Sequence, residues 1–268
     1  MTVVTEQPAG ERPPFAAALR RHRLARRVSQ LDLALACEVS ARHLSFLETG
    51  RARPSRDMVL QLAAGLTLPL GARNALLQAA GFAPAYPASD LSSDALEPFR
   101  IILDEMMARH APYPALLCDR AWTVLDASPS AAALLSALQA GGDERNVIRL
   151  LAESPAAPSV IANLPEVLEE MSARLQLEAL EAGDDPVVWD LQTRVAAASD
   201  RYPGAPRDAR RRRPVLPVVI NSPGGQLSFL SAVAHFGTSE DVTVRDLRLE
   251  LFFPADAATR RAVEAPGA

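Results

Sequence analysis

The 268-residue chain contains no lysine: all 28 of its basic residues are arginine. A P-loop lysine for phosphates, a Schiff-base lysine and a Ser-Lys nucleophilic dyad are thereby excluded. Only two cysteines occur, Cys37 and Cys118, far apart in sequence. They fall in what read as different domains, so no structural disulfide is expected, a reducing compartment fits, and Cys37 reads as a small core residue. The four histidines, His22, His43, His110 and His235, have no ligand-like spacing among themselves or with cysteine, and no metal is expected. No apolar run approaches the roughly 20 residues of a membrane span. The opening MTVVTEQPAGERPP is polar and proline-broken, unlike a leader peptide. A soluble, cytoplasmic protein with no membrane partner is the expectation.

What is present points to two domains. The length exceeds the usual single-domain size, and 49% hydrophobic residues can fill two cores. The net charge of -4 conceals an uneven distribution. Residues 12–84 carry eleven arginines against four carboxylates, a net of +7, which leaves 17 arginines against 28 carboxylates, or -11, elsewhere. A basic module is drawn to nucleic-acid phosphate by counterion release and an acidic one is repelled, so the two parts are expected to face different partners.

Within the basic part, SQLDLALACEVSARHLSFLETGRARPS, from Ser29 to Ser55, has the caps and apolar spacing of two short helices joined by a turn. Ser29 and Ser40 are N-cap residue types, and Asp32 completes a capping-box-like Ser-x-x-Asp pattern. Leu33, Ala34 and Cys37 share one face of the first helix. Leu44 and Leu47 share one side of the second, and with Val39 in the turn they can close a core. Gly50 suits a left-handed helix end, Arg51, Arg53 and Pro54 form a short basic loop, and Ser55 and Asp57 open the next helix.

In a helix-turn-helix the start of the second helix enters the major groove, which makes Ala41, Arg42, His43, Ser45 and Phe46 the base-reading candidates. Arg42 leads them, because its guanidinium can donate two bonds to guanine; Phe46 can lie against a thymine methyl. An isolated exposed arginine is usually only solvated, and it is the surrounding motif that lifts Arg42 above that reading. Gln30, Ser40, Arg51 and Arg53 are assigned to phosphate, which sets register rather than sequence. Glu48 is read as orienting nearby arginine or backbone groups rather than touching DNA.

These residues resemble the XRE-type, lambda-repressor-like helix-turn-helix regulators. VSARHLSFLETGRARPS followed by LQLAAGL and GARNALLQAAGFAPAY resembles the subset that carries a C-terminal MmyB-like ligand-binding domain. PYPALLCDRAWTVLDAS, GGQLSFLSAVAHFGTSEDVTV and FFPADAATRRAV are similar to that second domain, so the resemblance covers nearly the whole chain. Two positions depart from it: Glu38 stands where the family has glycine in the turn, and Glu153-Ser154-Pro155 stand where it has a His-Pro pair. The resemblance implies transcription regulation by a homodimer that binds double-stranded DNA at a near-palindromic operator. It also implies a PAS-like second domain holding a fatty-acid-like or other hydrophobic effector between its sheet and the covering helices, with no other cofactor.

Punctuation and period divide the chain into a flexible arm over 1–13, an all-α five-helix helix-turn-helix domain over 14–82, a proline-rich linker over 83–98, and an α+β ligand-binding and dimerisation domain over 99–268. The first helix is expected near Phe15, with Phe15 and Leu19 inward and Arg20, Arg21, Arg23 and Arg27 along exposed faces. Helices near 55–66 and 71–80 complete the five. After the linker the pattern gives a helix near 99–109, two strands at 115–118 and 123–126 about an Asp119-Arg120 hairpin, and a helix capped by Ser128. A helical stretch from about 146 to 202 follows, then β-type runs at 215–220, 226–236 and 247–251. That order suggests one antiparallel sheet with helices packed over it.

Leu117, Val124, Leu135, Leu151, Phe229, Leu230, Val233 and Phe236 are the candidate pocket-lining residues, although each also fits ordinary core. Trp122 and Trp189 read as packing anchors. The run Arg210 to Arg213 reads as a solvated loop, with a cationic clamp for a carboxylate ligand as the alternative. Asp184-Asp185 look like a turn and helix cap, and His110 and His235 stand alone. No catalytic constellation results, and no enzyme is expected. A second domain that only dimerises or binds a protein partner is the alternative to a sensor.

Overall fold

A computed structural model describes residues 14–182, 186–204, 215–237 and 239–265. The expected arm over 1–13, the arginine run 210–213 and the pair Asp184-Asp185 lie outside the described residues. The chain divides into two compact units: the first runs to Pro87 and takes in residues 179–182, and the second holds the rest from Ala88 onward.

The first unit is built from five helices: α1 (Pro14–Ala25), α2 (Gln30–Ala36), α3 (Ala41–Thr49), α4 (Arg56–Gly65) and α5 (Leu70–Ala79). Three of them start on serine caps. The hydroxyls of Ser29, Ser40 and Ser55 accept from the amides of Asp32, His43 and Met58 at 3.0, 3.1 and 3.1 Å, each satisfying a donor that the first helical turn leaves open. Gly50 ends α3 at φ 75, the left-handed conformation expected of it. Phe15, Leu19, Leu33, Leu44, Leu47, Leu62 and Leu76 meet in one core. Gly65 lies so close to the end of α2 that a Cβ there would stand 2.3 Å from Cys37 Sγ, so a larger residue would fit only if the Cys37 side chain moved. Glu38, in place of the turn glycine, holds φ 50, a strained conformation for a side chain with a Cβ. Arg23, expected on an exposed face, is instead 7% exposed, because Glu48 draws it inward.

The segment expected as a linker is tied down at both ends. Asn74 Oδ1 accepts from the amides of Ala85 and Tyr86 at 2.9 and 3.1 Å, which fastens residues 85–86 to α5. In the second unit, Asp241 accepts from the amide of Ser89 at 3.1 Å, and a short 3₁₀ turn follows at Asp94–Leu96.

The second unit continues with α6 (Glu97–His110), β1 (Ala115–Cys118), β2 (Val124–Ala127), α7 (Pro129–Gln139), α8 (Val147–Glu153), α9 (Ala157–Val160), α10 (Leu164–Ala182), α11 (Pro186–Arg201), β3 (Val218–Ser222), β4 (Gly225–His235), α12 (Val242–Asp246), β5 (Arg248–Pro254) and α13 (Ala257–Glu264). The strands form one antiparallel sheet in the order β2-β1-β5-β4-β3. The expected two-residue hairpin between β1 and β2 is wider. Asp119 Oδ1 accepts from the amides of Ala121 and Thr123 at 2.9 and 2.8 Å, and this turn carries Trp122 at φ 64.

Side chains alternate across the strands, so the sheet has two distinct faces. One packs on α6, where Leu103 and Met107 meet Leu117, Leu247 and Leu249, and Phe99 meets Phe236 edge-on at 4.8 Å. His110, at the end of α6, donates from Nε2 to the Phe252 carbonyl at 2.9 Å. The opposite face, presenting Leu116, Ser231, Glu250 and Phe252, is covered by α7, α8 and α10. Glu153 pairs with Arg194, joining α8 to α11 on the outside of that layer. No described helix is long and apolar enough to cross a membrane.

Candidate DNA interface and ligand cavity

Helix α3 divides cleanly. Leu44, Leu47 and Glu48 are buried, while Ala41 and Arg42 are exposed and His43, Ser45 and Phe46 are half-buried on the outer side. The helical period thus brings Arg42 and Phe46 together, and the Arg42 guanidinium lies over the Phe46 ring at 5.4 Å from its centroid. Arg51 and Arg53 are exposed just beyond the end of α3.

Two of the residues assigned to phosphate have structural partners. Ser40 caps α3 through its hydroxyl, and Gln30 donates from Nε2 to Glu48 at 2.7 Å. Glu48, 2% exposed, also takes Arg23 Nε and Nη2 at 2.6 and 2.9 Å, and so fixes α1, the start of α2 and α3 to one another. Burial alone would raise its carboxyl. The hydrogen bonds from Arg23 and Gln30 and the charge of Arg23 outweigh that and hold it below the ordinary glutamate range. The orienting role expected of Glu48 is therefore served through a named arginine.

In the second unit a cavity of about 130 Å³ lies between the sheet and its helical cover. Leu134, Leu135 and Leu138 of α7, Leu151 of α8, and Val167 and Met171 of α10 face Leu116, Val218 and Phe252 of the sheet. Of the eight residues expected to line a pocket, Leu135 and Leu151 do so here. Phe229 lines a neighbouring hollow of about 280 Å³ formed with Ser130, Ala133, Ile220 and Leu227, and Leu134 borders both spaces. Val233 pairs with Glu250 across β4 and β5, and Val124 is buried in β2, but neither borders the cavity. Leu117 and Phe236 are corrections: both belong to the core on the α6 face of the sheet. Leu230, paired with Phe253 and in step with Ala232 and Ala234, points to that same face.

One wall of the cavity is charged. Arg174 of α10 and Arg248 of β5 lie over the Trp122 ring, their guanidinium carbons 4.4 and 4.8 Å from its centroid. Glu178 binds all three residues: Arg248 Nη1 stands 2.9 Å from both of its oxygens, Arg174 Nε at 3.2 Å and Trp122 Nε1 at 3.3 Å. Glu250 and Ser231 border the same space. Burial pushes the Glu250 carboxyl above its usual range, against the pull of Arg174, a hydrogen bond with Ser231, and Arg248. Cys118, opposite Arg248 in the sheet, has its thiol pushed up to about 12, first by burial and then by Glu250 and Asp119, so it stays protonated and inert. Sequence reading gave Trp122 a packing role and left Arg174, Glu178, Arg248 and Glu250 unassigned. The one local signal is in β5, RLELFFP, where two charged residues sit at alternate positions of an apolar strand.

A basic helix-turn-helix unit joined to an α+β unit with an apolar cavity is the architecture of a DNA-binding transcription regulator that carries a ligand-binding domain. Residues 99–265 match the family of the MmyB-like transcription regulator ligand binding domain, and residues 14–76 match a helix-turn-helix domain family. The chain belongs to the MmyB-like transcription regulators. No curated protein matches it.

Proposed function

We propose that the protein is a cytoplasmic, homodimeric regulator of the XRE type that binds a near-palindromic operator and changes its DNA affinity when an apolar or amphiphilic small molecule enters the PAS-like second unit. The reading is of a binding protein, not an enzyme. Its main support is the pairing, in one chain, of an outward Arg42–Phe46 face on a capped recognition helix with an apolar cavity in a ligand-binding domain. Two recognition helices one DNA turn apart, about 34 Å, would read two half-sites. Arg42 and Phe46 would meet base edges, and Arg51 and Arg53 the phosphates on either side.

Native mass spectrometry of the freshly purified protein, followed by denaturing extraction, tests the reading. A dimer carrying a discrete extra mass is expected, with DNA affinity that shifts when that molecule is stripped and restored. A clean dimer whose DNA affinity no apolar compound alters would instead favour a second unit that only assembles the DNA-binding heads.

A further inference from the structure

Resting on the reading of α3 as the helix that enters the major groove, we infer that Arg42 and Phe46 act as one unit and read two neighbouring base pairs, a guanine beside a base that carries a 5-methyl group. Thymine is that base in ordinary DNA, and 5-methylcytosine can stand in for it. The two side chains are one helical turn apart and in contact, the Arg42 guanidinium carbon 5.4 Å from the centre of the Phe46 ring. No carboxylate among the described residues pairs with Arg42, in contrast to Arg23, which Glu48 holds in the core. Phe46 is not among the described residues that build the core of the first unit, although it is the largest apolar side chain on the outer side of α3. A cation and a ring that the fold does not use are thus held together on the face that meets DNA.

A guanidinium lying over a ring has one face covered and its N–H edge free. That edge can donate two bonds to O6 and N7 of guanine, which brings the guanidinium into the plane of the base. The ring on its face then lies out of that plane. Base pairs follow one another at about 3.4 Å, so the ring stands before the neighbouring pair. It has no donor or acceptor to offer there. The apolar group that a base edge presents in the major groove is the thymine C5 methyl, whereas cytosine and uracil have hydrogen at the same carbon. A phosphate contact would use the charge of Arg42 but leave the ring without a partner.

The full-length protein is used to select its site from a randomised duplex pool, and the selected duplex is remade with uracil, cytosine or 5-methylcytosine in place of the thymine. The selected half-site is expected to hold a guanine with a thymine in an adjacent pair. Uracil for that thymine removes only a methyl group and is expected to weaken binding at least about threefold; cytosine should bind at least about threefold more weakly than 5-methylcytosine. Both methyl effects should vanish in Phe46→Ala. Phe46→Leu should keep them and lose part of the preference for guanine, since it retains an apolar contact but not the ring beside Arg42. Equal binding within either base comparison by wild type overturns the inference, leaves the regulator reading intact, and holds whether or not a variant folds. Methyl effects that persist in folded Phe46→Ala, or a full guanine preference in folded Phe46→Leu, overturn it too. So does a selected site without a neighbouring guanine and thymine, whereas a pool with no preferred sequence overturns the operator reading as well.

Discussion

Arg23 of α1 and Glu48 of α3, 25 residues apart in sequence, form a two-pronged ion pair at 2.6 and 2.9 Å, with side chains only 9% and 2% exposed. Each is acceptable in the core of the first unit only because of the other. Glu48→Ala leaves a buried guanidinium without its carboxylate and releases Gln30, so it is expected to destabilise the unit by about 3–5 kcal/mol. Combining Arg23→Met with Glu48→Leu should recover most of that loss. Chemical denaturation of Arg23→Met, Glu48→Leu and their double variant measures the coupling, and a cost below about 1 kcal/mol for Glu48→Ala would show the pair to be idle.

The same pair sets an acid limit. The folded Glu48 carboxyl lies below its unfolded value, so its contribution is complete above the ordinary glutamate range and is lost as pH falls through the depressed folded value. Denaturation midpoints followed by helical circular dichroism are expected to fall more steeply below about pH 4.3 in wild type than in Glu48→Gln, which lacks the titrating group. Parallel acid profiles would assign the effect to other carboxylates.

On the DNA face the expected effects of two arginines differ in kind. Arg42→Ala should relax preference at one base position, worth about 1–3 kcal/mol of discrimination. Arg51→Ala should weaken all sequences alike and lower the salt slope by about one. Binding to a randomised operator pool at two salt concentrations separates the two, and a uniform loss from both variants would show that Arg42 does not read a base.

Glu38 occupies a left-handed turn position at φ 50 with an exposed side chain. Glu38→Gly removes the Cβ strain at the expense of a more flexible unfolded chain, and a net gain of about 0.5–1 kcal/mol is expected. A loss of thermal stability would mean that the carboxylate itself holds the turn.

Leu151, 8% exposed, borders the cavity from α8. Leu151→Phe places a ring in that space, so unfolding of the empty protein should change by less than about 1.5 kcal/mol. Stabilisation by the apolar molecule that co-purifies with the protein should meanwhile disappear. Retained stabilisation would place the ligand elsewhere.

The elements of the first unit were legible because their signals are local. A serine cap acts within three residues, and a glycine at φ 75 or a leucine at helical spacing declares itself from its neighbours. The burial of Arg23 was not legible, since its partner arrives from a different helix. In the second unit, apolar patterning located the strands, and the succession of strands and helices suggested one antiparallel sheet, but not its strand order. Patterning could not say which face of a two-sided sheet meets α6 and which the cavity, and that is why Leu117, Leu230 and Phe236, which fitted either pocket lining or ordinary core, prove to lie on the α6 face. The charged wall was least visible of all. Trp122, Arg174, Glu178 and Arg248 come from a turn, a helix and a strand that only the folded chain brings together.

The placing of Trp122 gives the protein two indoles in opposite optical surroundings. One, 1% exposed, is packed against two guanidiniums at the wall of the cavity; the other, Trp189 on α11, is 42% exposed. Iodide in solution would darken the second and spare the first, so the light that survives the quencher comes from the charged wall alone.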